Sequence, residues 1–438
     1  MLPGPPRPRW TEVDVPAVPP QGTGGAAPPA EPGYAPPAML RRLRWTWLPG
    51  NIGFNLVWGA VTGILMALQV QEIDPDGKVF NLALLTGAGA AMTMVVQPIA
   101  GRLSDRTRSR LGRRTPWILG GALAGGAAMV AMSQAETVPG LLVTYLLVVI
   151  GYNAALLPLS AILPDRVPEA ERGTFASLGS VGQMTGTFGG QILASRLSDT
   201  PDLAYWLVAG AALVIAVAFV AFNPERPATG LPAGPLGWKA LLRSYWVDPR
   251  ANPDFAWVFA GRFLLMAGYF VSHSYTLYIL QDYIGLGDTA ADWVPALGIT
   301  TMVTVVLFTA VGGPLSDRTG RRKVFIYVAG AVFAVGLAIP FLVPTLPGMF
   351  ASAVVGGVGY GVFASVDGAL MTEVLSAEEG YGKDLGVINL AFSLPQTCGP
   401  LLAGGIVGLA GGYAPLFPVG AVLAVAGGFA VAFVKGVR

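Results

Sequence analysis

The chain has 438 residues, of which 53% are hydrophobic and 12% are charged, and its mean hydropathy is +0.59. Soluble domains carry about 25% charged residues, so this composition excludes an ordinary soluble protein and indicates a membrane protein. The single cysteine, Cys398, excludes an internal disulfide and a metal site built from several thiolates, and the single histidine argues against an all-histidine metal centre.

Residues 1–42 are rich in Pro, Gly and Ala. They lack the continuous apolar core of a signal peptide, so we predict a disordered cytoplasmic tail that is not cleaved. A docking role for this tail is the alternative.

Twelve apolar runs follow, each long enough to cross the roughly 30 Å hydrocarbon core of a bilayer. They are residues 45–70, 80–101, 116–134, 139–163, 174–195, 203–222, 255–281, 291–313, 324–343, 348–372, 385–407 and 413–434. The long link 223–254 divides them, which predicts two six-helix halves at 43–222 and 255–438. The predicted fold class is an all-α membrane protein with twelve transmembrane helices.

The positions of Lys and Arg predict the orientation. If the N-terminus is cytoplasmic, Lys78 and Arg196 fall in outside loops, Arg262 falls inside a span, and the other 24 of the 27 basic residues are cytoplasmic. This is a strong positive-inside pattern. We therefore expect both termini on the cytoplasmic side.

One basic signature is written twice, about half the chain apart. The segment "GRLSDRTRSRLGRR" (101–114) returns as "GGPLSDRTGRR" (312–322), each time between the second and third predicted helix of its half. A second, weaker repeat relates "LPDRVPEAERG" (163–173) to "MTEVLSAEEGYGKDLG" (371–386). Two six-helix halves related by a parallel repeat are typical of secondary transporters.

On these motifs the chain resembles the major facilitator superfamily from about residue 41 to its end. The longer "SDRTRSRLGRRTPWI", with "LPDRV" and "GKDLGVINLAFSLPQ", is similar to the branch of glycoside–cation symporters and sucrose–proton transporters. The resemblance implies a multi-pass protein of the plasma or inner membrane that works by alternating access. It also implies that helices 1, 4, 7 and 10 line a central cavity, to which helices 2, 5, 8 and 11 contribute.

The repeated signatures suggest a cytoplasmic gate. Their aspartates can accept hydrogen bonds at helix N-termini, and their arginines can pair with carboxylates on neighbouring loops. The alternative is a plain topology anchor or a contact with anionic lipid. The candidate gating residues are Asp105, Arg106, Arg113, Arg114, Asp165, Arg172, Asp317, Arg318, Arg321 and Glu373.

Polar residues inside the spans are the candidates for substrate binding. In the first span Asn51, Asn55 and Trp58 share one narrow stripe with Thr62 and Gln69. Amides and an indole ring suit a sugar, whereas the alternative is hydrogen bonding between helices. The full candidate set is Asn51, Asn55, Trp58, Asn153, Gln183, Tyr269, His273, Asn389 and Gln396.

Two charged residues lie well inside the spans. Arg262 and Asp367 are each about 8–10 Å deep at 1.5 Å per residue. The resemblance implies that helices 7 and 10 both border the cavity, so we predict an ion pair between these two residues. This pair is the candidate for proton coupling, and a static structural pair is the alternative. Many proton-coupled sugar transporters carry a carboxylate in helix 1 or 4, whereas the first span here holds only Asn51 and Asn55 as its deep polar pair. Uncoupled diffusion therefore stays open.

The leading hypothesis is a monomeric proton symporter for a di- or oligosaccharide or a glucoside. The alternatives are a drug or metabolite exporter, an uncoupled sugar facilitator, and a membrane sensor that does not transport. We find no phosphate loop, metal-ligand spacing or nucleophile elbow, so an enzyme is not expected. No cofactor, metal or nucleic-acid partner is expected, and the expected partners are a small molecule, a proton and lipid.

Overall fold

The computed structural model describes residues 36–225, 227–228, 253–319, 322–374 and 381–434. The side chains of residues 317, 368–374, 381–389 and 392 lie outside this description. Most of the predicted tail and of the predicted central loop also lies outside the described residues. The first helix begins at Pro37, so the last six residues assigned to the tail are helical.

The described residues form helices and no strand. The twelve long helices are α1 (Pro37–Ile73), α2 (Lys78–Arg106), α3 (Thr115–Ser133), α4 (Val138–Arg166), α5 (Glu169–Arg196), α6 (Pro201–Phe222), α7 (Pro253–His273), α8 (Ala290–Thr319), α9 (Arg322–Leu342), α10 (Leu346–Val374), α11 (Tyr381–Ala410) and α12 (Leu416–Ala430). Two short helical pieces, Thr276–Tyr278 and Ile279–Tyr283, follow α7 in the chain after a turn at residues 274–275.

Ten of these described helices are long and apolar enough to cross a membrane. The other two are α5 and α11, which pack at the junction of the two halves against α8 and α2. Their position explains the lower hydropathy of α5, because a helix that faces protein and a cavity needs less apolar surface than one that faces lipid. That all twelve helices cross the membrane stays a prediction.

The two halves repeat the same packing. In the first half, α1 packs on α5 and α6, α3 packs on α4 and α6, and α2 packs on α4. In the second half the same five pairs recur six helices later, between α7, α11 and α12, between α9, α10 and α12, and between α8 and α10. The repeat seen in the basic signatures therefore extends to the packing of whole helices.

Close contact between α1 and α5 depends on glycine. A Cβ atom on Gly59 would lie 1.8 Å from the carbonyl oxygen of Thr187, and one on Gly190 would lie 2.1 Å from that of Leu56. The backbones of the two helices therefore touch, as small residues allow in membrane proteins. This contact fixes α5, and hence one wall of the space between the halves.

We predict that Gly59→Ala destabilises the protein, because its methyl group cannot fit without separating α1 from α5. The expected loss is about 1–3 kcal/mol, as for other overpacked cores. Thermal unfolding of the purified protein in detergent measures it. Gly189→Ala on α5 is the control, since a Cβ there meets nothing within 4 Å. Equal melting temperatures for both variants would contradict the prediction.

Candidate functional site

A cavity of about 610 Å³ lies between the halves. Its wall comes mainly from α1, α2 and α5 of the first half and from α7, α8 and α10 of the second. The polar lining residues are Thr62, Thr86, Ser180, Gln183, Thr187, Gln191, Ser272, His273, Ser274, Thr276, Thr301 and Ser352, and the aromatic ones are Phe188, Tyr269, Tyr275, Tyr278, Tyr360 and Phe417. Of the described residues that line it, none is Asp, Glu, Lys or Arg.

The first helix of each half is irregular where it borders the cavity. Residues Val61–Leu65 of α1 form a π-helical turn, and Thr62 in this turn lines the wall. The α-helix of α7 ends at His273, and all residues of 272–278 line the wall. The basic signature repeats after 212 residues, from Gly101 to Gly313. With the same offset, the π-helical turn of α1 corresponds in sequence to the break after α7. Such irregular turns are frequent at functional sites.

An aromatic cluster forms the second-half side of the cavity. The rings of Tyr269 and His273 stack with their centroids 4.3 Å apart, and Tyr360 lies 5.1 Å from Tyr269. His273 Nδ1 lies 2.9 Å from the carbonyl oxygen of Tyr269. Across the cavity, Gln183, Thr187 and Gln191 follow one another at intervals of four residues on α5. The cavity thus joins flat ring faces to small polar groups.

Of the nine candidate substrate residues, Gln183, Tyr269 and His273 line this cavity. Asn51 and Asn55 do not. Their amide groups donate to the carbonyl oxygens of Trp47 (2.9 Å) and Asn51 (2.8 Å), and Asn55 is buried. They face α5, where the absence of a side chain at two glycines leaves room for them. Trp58, one turn further on, is half-buried and also lies outside the cavity lining.

The remaining candidates are also placed elsewhere. Asn153 is buried on α4, where its amide donates to the carbonyl oxygen of Val149 (2.8 Å) and meets Gln97 of α2. Gln396 is exposed on α11 and is not part of the lining, and the side chain of Asn389 lies outside the described residues. Gln69, the last member of the first-span stripe, is buried and donates to the carbonyl oxygen of Met132 (2.7 Å).

The predicted ion pair between α7 and α10 is present, with Arg262 Nη1 2.9 Å from Asp367 Oδ2. Arg262 precedes Tyr269 by seven residues, and Asp367 follows Tyr360 by seven residues. The helices run in opposite directions, so the ion pair lies about 10 Å from the Tyr269–Tyr360 contact on the same faces. Its role in coupling stays a prediction.

The end of the bundle that carries the basic signatures, here called the basic end, holds a charged network within the first half. Arg114 lies 2.6 Å from Asp105 and 3.0 Å from Asp165, and it donates to the hydroxyl of Ser104 (3.0 Å). Arg113 also pairs with Asp165 at 2.7 Å. The first signature therefore ties α2, α3 and α4 together.

The other candidate gating residues that the structure describes form no ion pair with this network. Arg172 pairs with Glu169 of its own helix at 3.5 Å and donates to the carbonyl oxygen of Val167. Arg106 is half-buried and Arg318 is exposed. Arg321 and the side chains of Asp317 and Glu373 lie outside the described residues, so the second copy of the network stays a prediction.

Glu225 belongs to this network, although the sequence analysis did not single it out. Its carboxylate accepts hydrogen bonds from the backbone N–H groups of Arg114 (2.7 Å) and Thr115 (3.1 Å), at the N-terminus of α3. It also pairs with Arg166 at 3.0 Å. Gly112, with φ +93°, makes room, because a Cβ there would lie 2.2 Å from Glu225. An isolated acidic residue just after a span was the only sequence signal.

At the opposite end of the bundle a cluster of side chains joins the halves. Lys78 of α2 lies 2.7 Å from Asp282, and the hydroxyl of Tyr413 donates to the same carboxylate (3.0 Å). Burial, together with the Asp282 carboxylate, raises the pKa of Tyr413, so the phenol keeps the proton that it donates. The hydroxyls of Tyr275 and Tyr278 donate to the carbonyl oxygens of Val79 and Ala67.

These contacts between the halves lie on the same side of the cavity, away from the basic signatures. A second contact at this end, from Ser195 of α5 to Asp292 of α8 (3.2 Å), strengthens the junction. The structure is therefore a state that is closed at the end opposite the basic end. We call Lys78, Asp282, Tyr413, Tyr275 and Tyr278 the closing cluster.

The comparison with known proteins fits this architecture. A family model described as "MFS/sugar transport protein" matches residues 78–418. The chain belongs to this family. It is therefore a multi-pass membrane transporter of the major facilitator superfamily, and it is not an enzyme.

One curated relative is a "putative metabolite transport protein" of Haemophilus influenzae, which is 24% identical over 373 residues, 77% of this chain and 82% of the relative. Two solved structures share the fold. A bacterial homologue of the human lysosomal transporter Spinster, in an inward-facing and unoccupied conformation, matches 91% of this chain and 95% of its own (18% identity, TM-score 0.65). A variant of the nucleoside transporter NupG matches 89% and 99% (15% identity, TM-score 0.72).

We predict that loss of the Lys78–Asp282 pair opens the end opposite the basic end. In a Cys398→Ser background, Thr86→Cys places a thiol in the cavity wall, and a membrane-impermeant maleimide reports its accessibility from that end. Adding Lys78→Ala should speed labelling up to about fivefold, since a partly exposed pair is worth roughly 0.2–1 kcal/mol.

The control is Arg44→Ala, which removes the exposed Arg44–Glu171 pair inside the first half and should leave labelling unchanged. The exchange Lys78→Asp with Asp282→Lys should restore the slow rate. Labelling that does not respond to Lys78→Ala would mean that the pair does not hold this end closed.

Proposed function

We propose that this transporter moves an uncharged sugar, a di- or oligosaccharide or a glucoside, across the plasma membrane by alternating access and together with protons. The observation that carries the proposal is the composition of the cavity wall. The described residues of the wall include no charged side chain, so they give an ionic substrate no partner, whereas their hydroxyl, amide and ring groups suit a neutral polar one.

The pairing of ring faces with small polar groups supports a sugar in particular. A pyranose ring has C–H faces that pack on an aromatic ring, and hydroxyls at its edge that need hydrogen-bond partners. Tyr269, His273 and Tyr360 offer the flat side, and Gln183 and Gln191 offer amides across the cavity. The family description and the relative's name agree with a sugar or another small metabolite.

The Arg262–Asp367 pair supports proton coupling by its position. It lies outside the cavity lining but on the same faces of α7 and α10 as the Tyr269–Tyr360 contact. Protonation of Asp367 removes the charge that holds Arg262, so the two helices lose one of their links. A change of this kind beside the cavity links the proton to the opening of the basic end.

Uptake into proteoliposomes tests the function. The panel is labelled sucrose, maltose, methyl α-glucopyranoside and uridine, with and without an inward proton gradient. We expect at least one of the sugars to accumulate, and to accumulate more with the gradient. Uptake of uridine alone, or of none of the panel together with export of hydrophobic cations, would overturn the proposal. Sugar uptake that ignores the gradient would remove the coupling only.

We predict that Asp367→Asn abolishes gradient-driven accumulation while counterflow exchange of the same sugar continues. The reason is that Asn cannot take up a proton, whereas exchange needs no net proton movement. Asp202→Asn is the matched control, because this exposed carboxylate lies in the first turn of α6, away from the cavity. Accumulation that survives in Asp367→Asn would make the ion pair structural.

A further inference from the structure

Most Ser and Thr hydroxyl groups of the cavity wall already donate their hydrogens to the protein. Seven of the nine Ser and Thr side chains that line the cavity donate to a backbone carbonyl three or four residues earlier. Examples are Thr86 to Leu82 (2.7 Å) and Ser272 to Gly268 (2.8 Å). A hydroxyl has one hydrogen and two lone pairs, so each of these groups can only accept from a ligand.

His273 can also only accept a hydrogen bond from a ligand. Its Nδ1 lies 2.9 Å from the carbonyl oxygen of Tyr269, and a carbonyl oxygen can only accept, so Nδ1 carries the proton. In the neutral ring, Nε2 is then a bare acceptor. The stacking of His273 on Tyr269 fixes the plane of the ring and hence the direction of this lone pair.

Gln191 lines the cavity, but its acceptor atom does not. Its Oε1 is buried and has no hydrogen-bond partner. The amide lies between two glycines, since a Cβ on Gly63 would be 3.1 Å from its Nε2 and one on Gly298 would be 3.2 Å from its Oε1. Because Oε1 has almost no accessible surface, a ligand in the cavity cannot donate to it in this state.

Resting on the proposed function, we infer that the hydroxyl oxygens of the cavity wall and His273 Nε2 select a substrate that donates hydrogen bonds, with His273 Nε2 as the specificity-determining acceptor. The substrate is therefore a polyhydroxyl compound whose hydroxyl hydrogens point to the wall. Fully acylated sugars present only acceptors, so they leave these lone pairs unpaired and bind weakly.

Deoxy and deoxyfluoro sugars test the inference. The probe is whichever of sucrose, maltose and methyl α-glucopyranoside is taken up best, with single hydroxyls replaced by hydrogen or by fluorine. Fluorine keeps a polar acceptor but cannot donate. In competition with the labelled parent, at least one position should lose about tenfold in affinity with either replacement.

Two results would overturn the inference that the cavity selects a hydrogen-bond donor. One is that fluorine restores parental affinity wherever hydrogen weakens binding, which would mean that the wall donates. The other is that no replacement at any position weakens binding. Absence of sugar uptake in the first assay refutes the proposed function instead, so the two failures are distinguishable.

A variant of the wall adds a second measurement. His273→Phe keeps an aromatic ring and removes Nε2. It should weaken the parent sugar about tenfold and cancel the fluorine penalty at one position. Equal weakening of the parent and all fluoro derivatives in this variant would contradict the inference.

Two serines on α5 provide a matched test of whether the wall hydroxyls accept hydrogen bonds from the substrate. Ser180 and Ser177 both donate to a carbonyl four residues earlier, but only Ser180 lines the cavity. Ser180→Ala should reduce affinity, and Ser177→Ala should leave it unchanged. Equal affinities in the two variants would count against hydroxyl acceptors in the wall.

Discussion

The hydrocarbon around this bundle offers no hydrogen-bond partner, so a polar group that would face it needs a partner within the protein. Many polar side chains find that partner on their own helix. Thr86 and Ser272 donate to carbonyl oxygens of their own helices, and so do the amides of Asn51, Asn55 and Asn153. Each helix can therefore carry polar residues without fixing them to a neighbour. The side-chain bonds that do cross between the halves are concentrated in the closing cluster, which lets the halves separate there without leaving many buried groups unpaired.

The two ends of the bundle use charge in different ways. At the basic end, Arg114 holds helices of one half together, and Glu225 ties the N-terminus of α3 to the segment after α6. At the other end, Lys78 and Asp282 join the two halves. The first arrangement links helices within one half, as does the glycine contact of α1 with α5. The break after His273 connects the cavity with the closed end, because Tyr275 and Tyr278 both line the wall and bond to the first half.

Much of the architecture could be predicted from the sequence, because span length, the basic repeat and the depth of Arg262 and Asp367 are properties of single helices read against a bilayer of known thickness. The sequence could not predict which neighbour a polar stripe on a helix faces. Periodicity puts Asn51 and Asn55 on one face of α1, but it cannot say that this face meets the glycines of α5 rather than the cavity. The partners Lys78 and Asp282 lie in different halves, and no pattern along the chain relates them. The break in α7 also lacks a signal, since "SHSYT" contains neither Pro nor Gly.

In the proposed mechanism, the hydrogen bonds that polar side chains make to their own helix also determine how the cavity binds its substrate. A hydroxyl that is held by its own helix cannot swing, so the wall presents fixed acceptors and loses little side-chain entropy on binding. Water donates to these acceptors when the cavity is empty, and a sugar hydroxyl replaces it with a similar bond. The net gain per contact is therefore small, which suits a site that must release its cargo. Since Arg262 and Asp367 lie outside the lining, the proposed proton site and the proposed sugar site share no atoms, and α7 and α10 are the helices that connect them.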